Sequence, residues 1–533
     1  MKRVILVISS AFAFGFWSEV FAESFGCPRL YSSISPMSAI SFAKTYGGTN
    51  YDKAYSVKQT YDGGYIVAGY TASFGAGGFD IFLIKTDASG NVQWAKTYGG
   101  TSDDVAFSVQ QTSDGGYIVA GAAASFGVGV DIFLIKTDAN GNVQWAKTYG
   151  GTSTDLAESV RQTSDGGYIV AGHTYSFGAG GRDIFLIKTD ANGNIIWAKT
   201  YGGTNWDDTY SVQQTSDGGY IVAGETYSFG VGGPDFFLIK TDASGNVQWA
   251  KTYGGTNYDD AYSVQQTSDG GYILAGYTQS FGAGSSDIFL IKTDANGNII
   301  WAKTYGGTSY DVAFSVQQTS DGGYIVAGLT GSFGASWYDI FLIKTDANGN
   351  IIWAKTYGGT SRDEVSSVQQ TSDGGYIVGG FTGSFGAGDA DIFLIKTDAN
   401  GNIGSCSIVR SVSPTVNTVS PTVNTPSPSV SSVSPIVNTV SPTVTTPTLT
   451  VSEPCPLSIS EFCQIASGLI TPYKGGIKVR GSGEFEVKVY NVSGVMVKSV
   501  KGKNEVKIEL SRGVYFVEVI SGGRVLREKV VIR

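Results

Sequence analysis

YGGTNYDKAYSVKQTYDGGYIVAGYTASFGAGGFDIFLIKTDASGNVQWAKT, residues 46–97, is the stretch on which the fold turns. It holds four strand-length runs: Ala54–Thr60, Tyr65–Thr71, Ile81–Lys85 and Val92–Tyr98. Clusters of Gly, Asp and Asn separate them, residues that supply positive φ or bond their own backbone in turns. The third run, Ile81-Phe82-Leu83-Ile84, is continuously apolar, as suits a strand buried on both faces. The fourth mixes Trp94 with Gln93, Lys96 and Thr97, as suits an outer strand.

The unit recurs. Tyr-Gly-Gly stands at Tyr46, Tyr98, Tyr149, Tyr201, Tyr253, Tyr305 and Tyr357, a step of 52 residues with one step of 51. Periods of this size mean propellers, solenoids or arrays. A lone four-stranded unit cannot bury both its faces, so units must stack. The expectation is an all-β chain whose residues 42–406 form a seven-bladed β-propeller with four-stranded blades. Phe42-Ala43-Lys44-Thr45-Tyr46 matches Trp94-Ala95-Lys96-Thr97-Tyr98, while the last unit stops at Ile403-Gly404-Ser405-Cys406 without a fourth strand. The N-terminal strand is therefore expected to complete the seventh blade, and ring closure removes exposed sheet edges. The alternative, an open β-solenoid, needs capping elements at both ends.

Outside the repeats the composition changes. Lys2 and Arg3, the apolar stretch Val4–Phe16 and Val20-Phe21-Ala22 read as a signal peptide over 1–22, followed by a lead-in over 23–41. That stretch is too short to span a bilayer comfortably and no later segment could, so the mature chain is expected to carry no transmembrane segment. A lipoprotein anchored at Cys27 is the weaker reading, because Cys27 lies far from the apolar run and Phe25 fits a lipobox poorly. Residues 407–456 repeat Val-Ser-Pro-Thr-Val-Asn-Thr, with Pro414, Pro421, Pro426, Pro428, Pro435 and Pro442, and read as an extended Pro/Ser/Thr-rich stalk. In 457–533 the runs Phe485–Tyr490, Val495–Val500, Glu505–Leu510, Val514–Ile520 and Val525–Ile532 alternate like strands, as in a small Ig-like β-sandwich.

Four cysteines exist, and export permits disulfides. Of the three pairings, Cys27–Cys406 across the ring seam with Cys455–Cys463 is the expected one. Charge is uneven: 464–533 carries 13 Lys/Arg against 6 Asp/Glu, a net +7 that leaves −16 on the rest of a chain whose total is −9. An acidic body is unsuited to nucleic acid or to an anionic membrane surface.

Val489-Tyr490-Asn491-Val492-Ser493-Gly494, then Leu510-Ser511-Arg512-Gly513-Val514-Tyr515-Phe516-Val517, with Lys529 near the terminus, resemble the C-terminal sorting domain of type IX secretion cargo. The resemblance covers roughly the last 60–70 residues. It implies a secreted or cell-surface protein, carried across an outer membrane by secretion machinery that reads this domain as an address. An ordinary Ig-like module is the plain alternative. The repeats resemble those of bacterial surface propellers, a generic likeness that carries no activity.

Positions identical in all seven copies are expected to serve the blade. The turns Asp62-Gly63-Gly64 and Asp87-Ala88-Ser89-Gly90-Asn91 recur throughout. Calcium is the functional reading of the second, but one carboxylate per turn is thin, and a hairpin turn is preferred. No other cofactor is implied. Two more aspartates recur, the series beginning Asp52, Asp104 and Asp155 and the series beginning Asp80, Asp131 and Asp183, each just before a strand. They are expected to satisfy loop donors. Sevenfold repetition argues against a glycosidase pair, which needs one asymmetric constellation. His173, the only histidine, limits imidazole chemistry to one ring. The chain is therefore expected not to be an enzyme.

Variable positions are the candidates for binding. They fall in the loop between fourth and first strands (Tyr51, Trp206, Tyr258, with Asp103, Thr154, Tyr310 and Arg362) and in the loop between second and third strands (Tyr70, Phe79, His173, Arg182, Tyr277, Trp337, Tyr338, with Tyr175, Glu225, Tyr227 and Phe381). In an antiparallel meander both loop classes emerge on one face. Exposed Tyr and Trp there suit a carbohydrate or protein partner. An extracellular glycosidase or lyase and a purely structural surface-layer protein are the competing readings.

Overall fold

The computed structural model describes residues 6–7, 41–455 apart from 336, 405 and 442, and 470–532 apart from 474–475, 492–495, 512 and 522–523. The expected signal peptide and lead-in lie almost wholly outside the described residues, as do Cys27 and Cys463. The chain forms two compact units, Ala39–Cys455 and Met1–Ser38 with Pro456–Arg533.

The first unit is a closed seven-bladed propeller. Blade 1 comprises Asp52–Gln59, Tyr65–Thr71, Asp80–Thr86 and Val92–Gly99, and the next five blades repeat this meander. In blade 7 the first three strands are Asp363–Gln370, Tyr376–Thr382 and Asp391–Thr397, and the fourth is Phe42–Gly47 from the N-terminal side, Phe42 opposite Lys396 and Tyr46 opposite Ile392. Blade 7 packs on blade 1 through Ile377, Ile392 and Leu394 against Ala54, Val57 and Val67, so no open end exists for a solenoid to cap. The third strands are buried throughout, as a continuous apolar run requires.

Invariant residues tie blades together. The Tyr98 hydroxyl, in the fourth strand of blade 1, donates to the Gly141 carbonyl in the last turn of blade 2 at 2.7 Å, and Tyr201 does the same to Gly245. Trp94 meets Tyr117 of the next blade edge-on, with centroids 5.9 Å apart. In the turns, Asp87 Oδ1 accepts the Ser89 and Asn91 N–H groups while its Oδ2 accepts from the Asn91 side chain. Both oxygens thus serve the hairpin. Asp62 pairs with buried Lys85 at 2.8 Å, a contact repeated in every blade down to Asp373 with Lys396.

The expected stalk is not a stalk. Each blade has a fifth strand, and all seven come from 409–452. Val409–Ser411 pairs with blade 6, Thr415–Thr418 with blade 5, Thr422–Asn424 with blade 4, Ser429–Ser432 with blade 3, Ile436–Thr439 with blade 2, Thr443–Thr445 with blade 1 and Thr450–Ser452 with Phe42–Gly47 of blade 7. The segment is a belt that makes one circuit of the ring. Val409, Val416, Val423, Val430, Val437, Val444 and Val451, seven residues apart, lie opposite Tyr357, Tyr305, Tyr253, Tyr201, Tyr149, Tyr98 and Tyr46. Seven extended residues cover about 23 Å, one blade per step. Pro414, Pro421, Pro428 and Pro435 each stand just before a belt strand, where a missing N–H costs no ladder bond. Between the strands, Val412, Val419, Val433 and Val440 donate their N–H groups to Ala354, Ala302, Ala198 and Ala146 at 3.0–3.1 Å and pack on the blade cores.

The disulfide also differs from expectation. Cys406 is bonded to Cys455, and the pair packs on the core shared by blades 6 and 7. The belt circuit brings these two cysteines together, a proximity that a free stalk could not provide.

In the second unit, Gly476–Asn491 pairs with Ile470–Tyr473, Met496–Glu509 and Gly513–Ser521, and the last of these pairs with Arg524–Ile532. Its core includes Val487, Val489, Leu510, Tyr515 and Val517. Tyr515 donates from its hydroxyl to the Ser511 carbonyl at 3.1 Å, so the Leu510 and Tyr515 positions of the sorting-domain motif are core residues.

Candidate functional site

Both variable loop classes do emerge on one face. The Asp104 N–H donates to the Phe79 carbonyl and the Ala124 N–H to the Asp103 carbonyl, joining each second-to-third-strand loop to the adjacent blade entry. The paired aspartates lie beneath these loops. Asp52 Oδ2 accepts from the Gly48 N–H and the Ser73 hydroxyl, and Asp80 Oδ2 from the Ala76 N–H. They hold the loops, as expected of them.

The first strand of every blade carries a β-bulge. In blade 1 the register jumps between Ala54 and Ser56, leaving Tyr55 unpaired. The invariant glycine opposite makes this possible: a Cβ on Gly69 would stand 1.8 Å from the Lys53 carbonyl oxygen. A bulge re-aims its extra side chain, and here it turns inward. Tyr55 meets Phe107 of blade 2 with centroids 4.9 Å apart, Tyr210 meets Tyr262 at 4.8 Å, and Tyr262 meets Phe314 at 5.3 Å. The bulge residues of neighbouring blades thus meet along the first strands, at the edge of each sheet opposite the belt. In blade 3 the position is Glu158, whose carboxyl burial pushes up to about 7.

On the loop face, blades 3 to 5 present a continuous strip. The Arg182 guanidinium lies 5.8 Å from the Tyr175 ring and 5.4 Å from the Trp206 ring. Trp206 meets Tyr227 edge-on at 6.2 Å, and Tyr227 meets Tyr258 at 6.3 Å. Trp206 is 50% exposed and Tyr258 46%. Arg182 also forms an ion pair with Asp208, and His173 Nδ1 lies 3.4 Å from the same carboxylate. Burial, with the Arg182 charge second, holds His173 down at about 3. The imidazole is neutral at any ordinary pH.

Beneath the strip lies a second acidic group. Glu225 is opposite Asp208 across the first two strands of blade 4, and Asp260 is opposite Tyr277 in blade 5. The Tyr210 hydroxyl donates to Glu225 Oε1 at 3.3 Å. Desolvation, reinforced by Glu225, pushes Asp260 up to about 8.

The candidate binding residues therefore divide. Trp206, Arg182 and Tyr258 belong to the strip. His173 and Tyr277 are buried beneath it, at 5% and 8% exposure, a correction to their reading as exposed loop side chains. Both fall inside second strands rather than in the loops, and so do Tyr70, Glu225 and Phe381, because each second strand runs on through that position. Tyr70 and Phe79 pack together in blade 1 with centroids 4.7 Å apart, and Tyr51 is exposed nearby. Tyr338 lies under the Arg362 guanidinium at 5.5 Å, while Trp337 projects from its loop at 88% exposure.

The loop-by-loop reading missed the bulge residues and Asp208 and Asp260. Their signal was present: the copies vary at position 55 and its equivalents inside an otherwise repeated strand. Only two copies carry the doublets Asp207-Asp208 and Asp259-Asp260.

The protein is thus a belted seven-bladed propeller with one asymmetric, aromatic and acidic sector on its loop face. Residues 471–533 match the family described as secretion system C-terminal sorting domain, so the chain ends in such a domain, which points to secretion or the cell surface. Residues 135–379 match the family described as Holdfast attachment protein D. Regulatory protein FlaEY of Caulobacter vibrioides is 24% identical over 331 residues, taking in 56% of this chain and 32% of FlaEY, so the chain spans about a third of that relative's length. Two solved structures share little: a eukaryotic initiation factor (9% identity, 64% of this chain and 89% of that chain, TM-score 0.31) and a GH43_12 protein from a capybara gut metagenome (10% identity, 93% and 96%, TM-score 0.27). At such scores neither bears on the site.

Proposed function

We propose that the propeller is a non-catalytic binding and adhesion module, exported by type IX secretion machinery through its C-terminal domain. In this reading it recognises an extracellular carbohydrate or protein through the loop face of blades 3 to 5. The observation that carries the reading is the strip Tyr175–Arg182–Trp206–Tyr227–Tyr258, which crosses three blades without interruption. Flat aromatic faces at low entropy cost, with a guanidinium held between two of them, are what a sugar ring or a peptide segment packs against. The match of residues 135–379 to an attachment-protein family supports adhesion.

The test is a glycan and protein array with the mature full-length chain and its W206A/Y258A variant. Signals lost in the variant support the strip. Signals that persist would move binding to another face. Turnover on a polysaccharide panel would replace the reading with a hydrolase, and an array without hits would leave a structural surface protein.

A further inference from the structure

The strip covers a feature it does not use. Glu225 of blade 4 and Asp260 of blade 5 are two neighbouring acidic side chains, each 6% exposed. Tyr210 donates to Glu225, and Tyr277 bonds Asp260. Asp260 Oδ1 is buried without any hydrogen-bond partner. The nearby guanidinium, Arg182, is committed to Asp208. Asp260 also hydrogen-bonds Glu225, so the pair shares a proton and keeps one buried negative charge with no cation of its own, a costly arrangement.

The walls say what completes it. Tyr210 and Tyr262 have ring centroids 4.8 Å apart, Tyr262 and Tyr277 stack with an interplanar angle of 24°, and Tyr227 stands close enough to feel both carboxylates. Calcium takes six to eight oxygen ligands, a number that two carboxylates and two phenols reach only if both carboxylates bind through both oxygens and both neutral phenols join them. Tyrosine rings packed on one another beside an anionic pair, with the Tyr210 and Tyr277 hydroxyls turned to it, instead favour an alkylated cation, whose ammonium meets the acids while its carbons lie against the rings. The combination occurs once on the ring: positions equivalent to Asp260 are Lys53, Val105, Leu156, Asp208, Val312 and Glu364. Of the two other acidic members, Asp208 is taken by Arg182 and Glu364 by Arg362.

We propose that Glu225 and Asp260, set among Tyr210, Tyr227, Tyr262 and Tyr277, form a receptor for an aliphatic ammonium group of the ligand. This rests on the reading of the overlying strip as the binding face, and it names the chemistry of what enters below: a lysine-like or amino-sugar amine.

The probe is n-butylammonium chloride, with neutral 1-pentanol as its isostere and calcium chloride as the metal control, titrated calorimetrically into the mature full-length chain. Butylammonium is expected to saturate one site, with 1-pentanol at least tenfold weaker. E225Q/D260N should weaken butylammonium at least tenfold without lowering the melting temperature. Y227L, which removes only a half-exposed ring, guards against a folding artefact and should weaken it severalfold. W206A should leave butylammonium binding intact while reducing array signals. Equal binding of 1-pentanol, undiminished binding to E225Q/D260N, or stoichiometric calcium binding at that pair would overturn the proposal. Array signals that vanish in W206A/Y258A but persist in E225Q/D260N would sink the amine receptor and spare the binding face.

Discussion

Cys406 and Cys455 are 49 residues apart in sequence and 5.4 Å apart between Cα atoms, bonded to each other after the chain between them has passed every blade once. The disulfide is therefore a buckle. The N-terminal strand closes the ring from within blade 7, and the belt closes it again around the rim.

A loop of this length is expected to contribute about 4 kcal/mol through the entropy it removes from the unfolded chain. Denaturant unfolding of C406S/C455S should show a loss of that order. Limited proteolysis under native conditions should then cut within 407–454 while the propeller's circular dichroism persists. An unchanged midpoint together with a protease-resistant belt would show that the belt strands hold without the buckle.

Removing the belt altogether has a different consequence. The fourth strand of each blade, such as Ile195–Gly202, would become an unpaired edge, seven of them around one disc. Unpaired edges template association with other chains. A chain lacking 407–455 is expected to fold but to self-associate, read by light scattering coupled to size exclusion. V412D/V419D/V433D/V440D, which loosens the belt without deleting it, should show the same tendency more weakly. A monodisperse belt-less monomer would contradict the role assigned here.

The ring was legible because one turn-punctuated unit recurs at a fixed step and because Phe42–Tyr46 supplies the strand missing after Ile403. The belt was not, because three- and four-residue strands bounded by proline resemble a spacer when read alone. The overlooked clue is numerical: valine every seven residues from Val409 to Val451, seven times, beside seven blades. The disulfide followed the same error, since only the circuit brings Cys455 to Cys406. At the site, period-two reasoning assumes an unbroken ladder. The bulges at Tyr55, Tyr210 and Tyr262 break it and turn those side chains toward the bulge residues of neighbouring blades. Sequence variation at these positions was visible, but its direction in space was not.

Several carboxyls make stability fall as pH rises. Burial and a neighbouring aspartate hold Asp131 and Asp183 at about 6 and Asp235 at about 7, all above the usual 3.8. A folded-state value above the unfolded one gives stability that is complete below the unfolded value and lost as pH climbs through the folded one. Asp114, Asp165 and Asp217, held at about 2 mainly by hydrogen bonds that include buried lysines, lose theirs only below 3.8. Glu158, at about 7, and Asp260, at about 8, add to the trend, while His173, and Lys58 lowered by burial to about 7, oppose it, two groups against five. The melting temperature is expected to be several degrees higher at pH 5 than at pH 7.5. D235N should raise the value at pH 7.5 and flatten the slope. A melting temperature that rises over this interval would contradict the assignment.

His173 offers a direct probe of the strip, because it is the only histidine and its imidazole resonance needs no assignment. Burial and Arg182 both disfavour its cation, and the imidazole is held at about 3. Between pH 5 and 8 the Hε1 shift should therefore stay flat in the native chain. Removing the guanidinium changes both the charge beside the imidazole and its burial. R182A withdraws the repelling charge and leaves Asp208 free to stabilise an imidazolium 3.4 Å away. It also opens the cover between Tyr175 and Trp206 to water. The variant is expected to show a titration entering the range from below, with a midpoint at least one unit above the native value, and the resonance of D208N should remain flat. A native resonance that titrates near 6.5 would mean that Arg182 does not sit against Asp208, and the strip built around that guanidinium would lose its anchor.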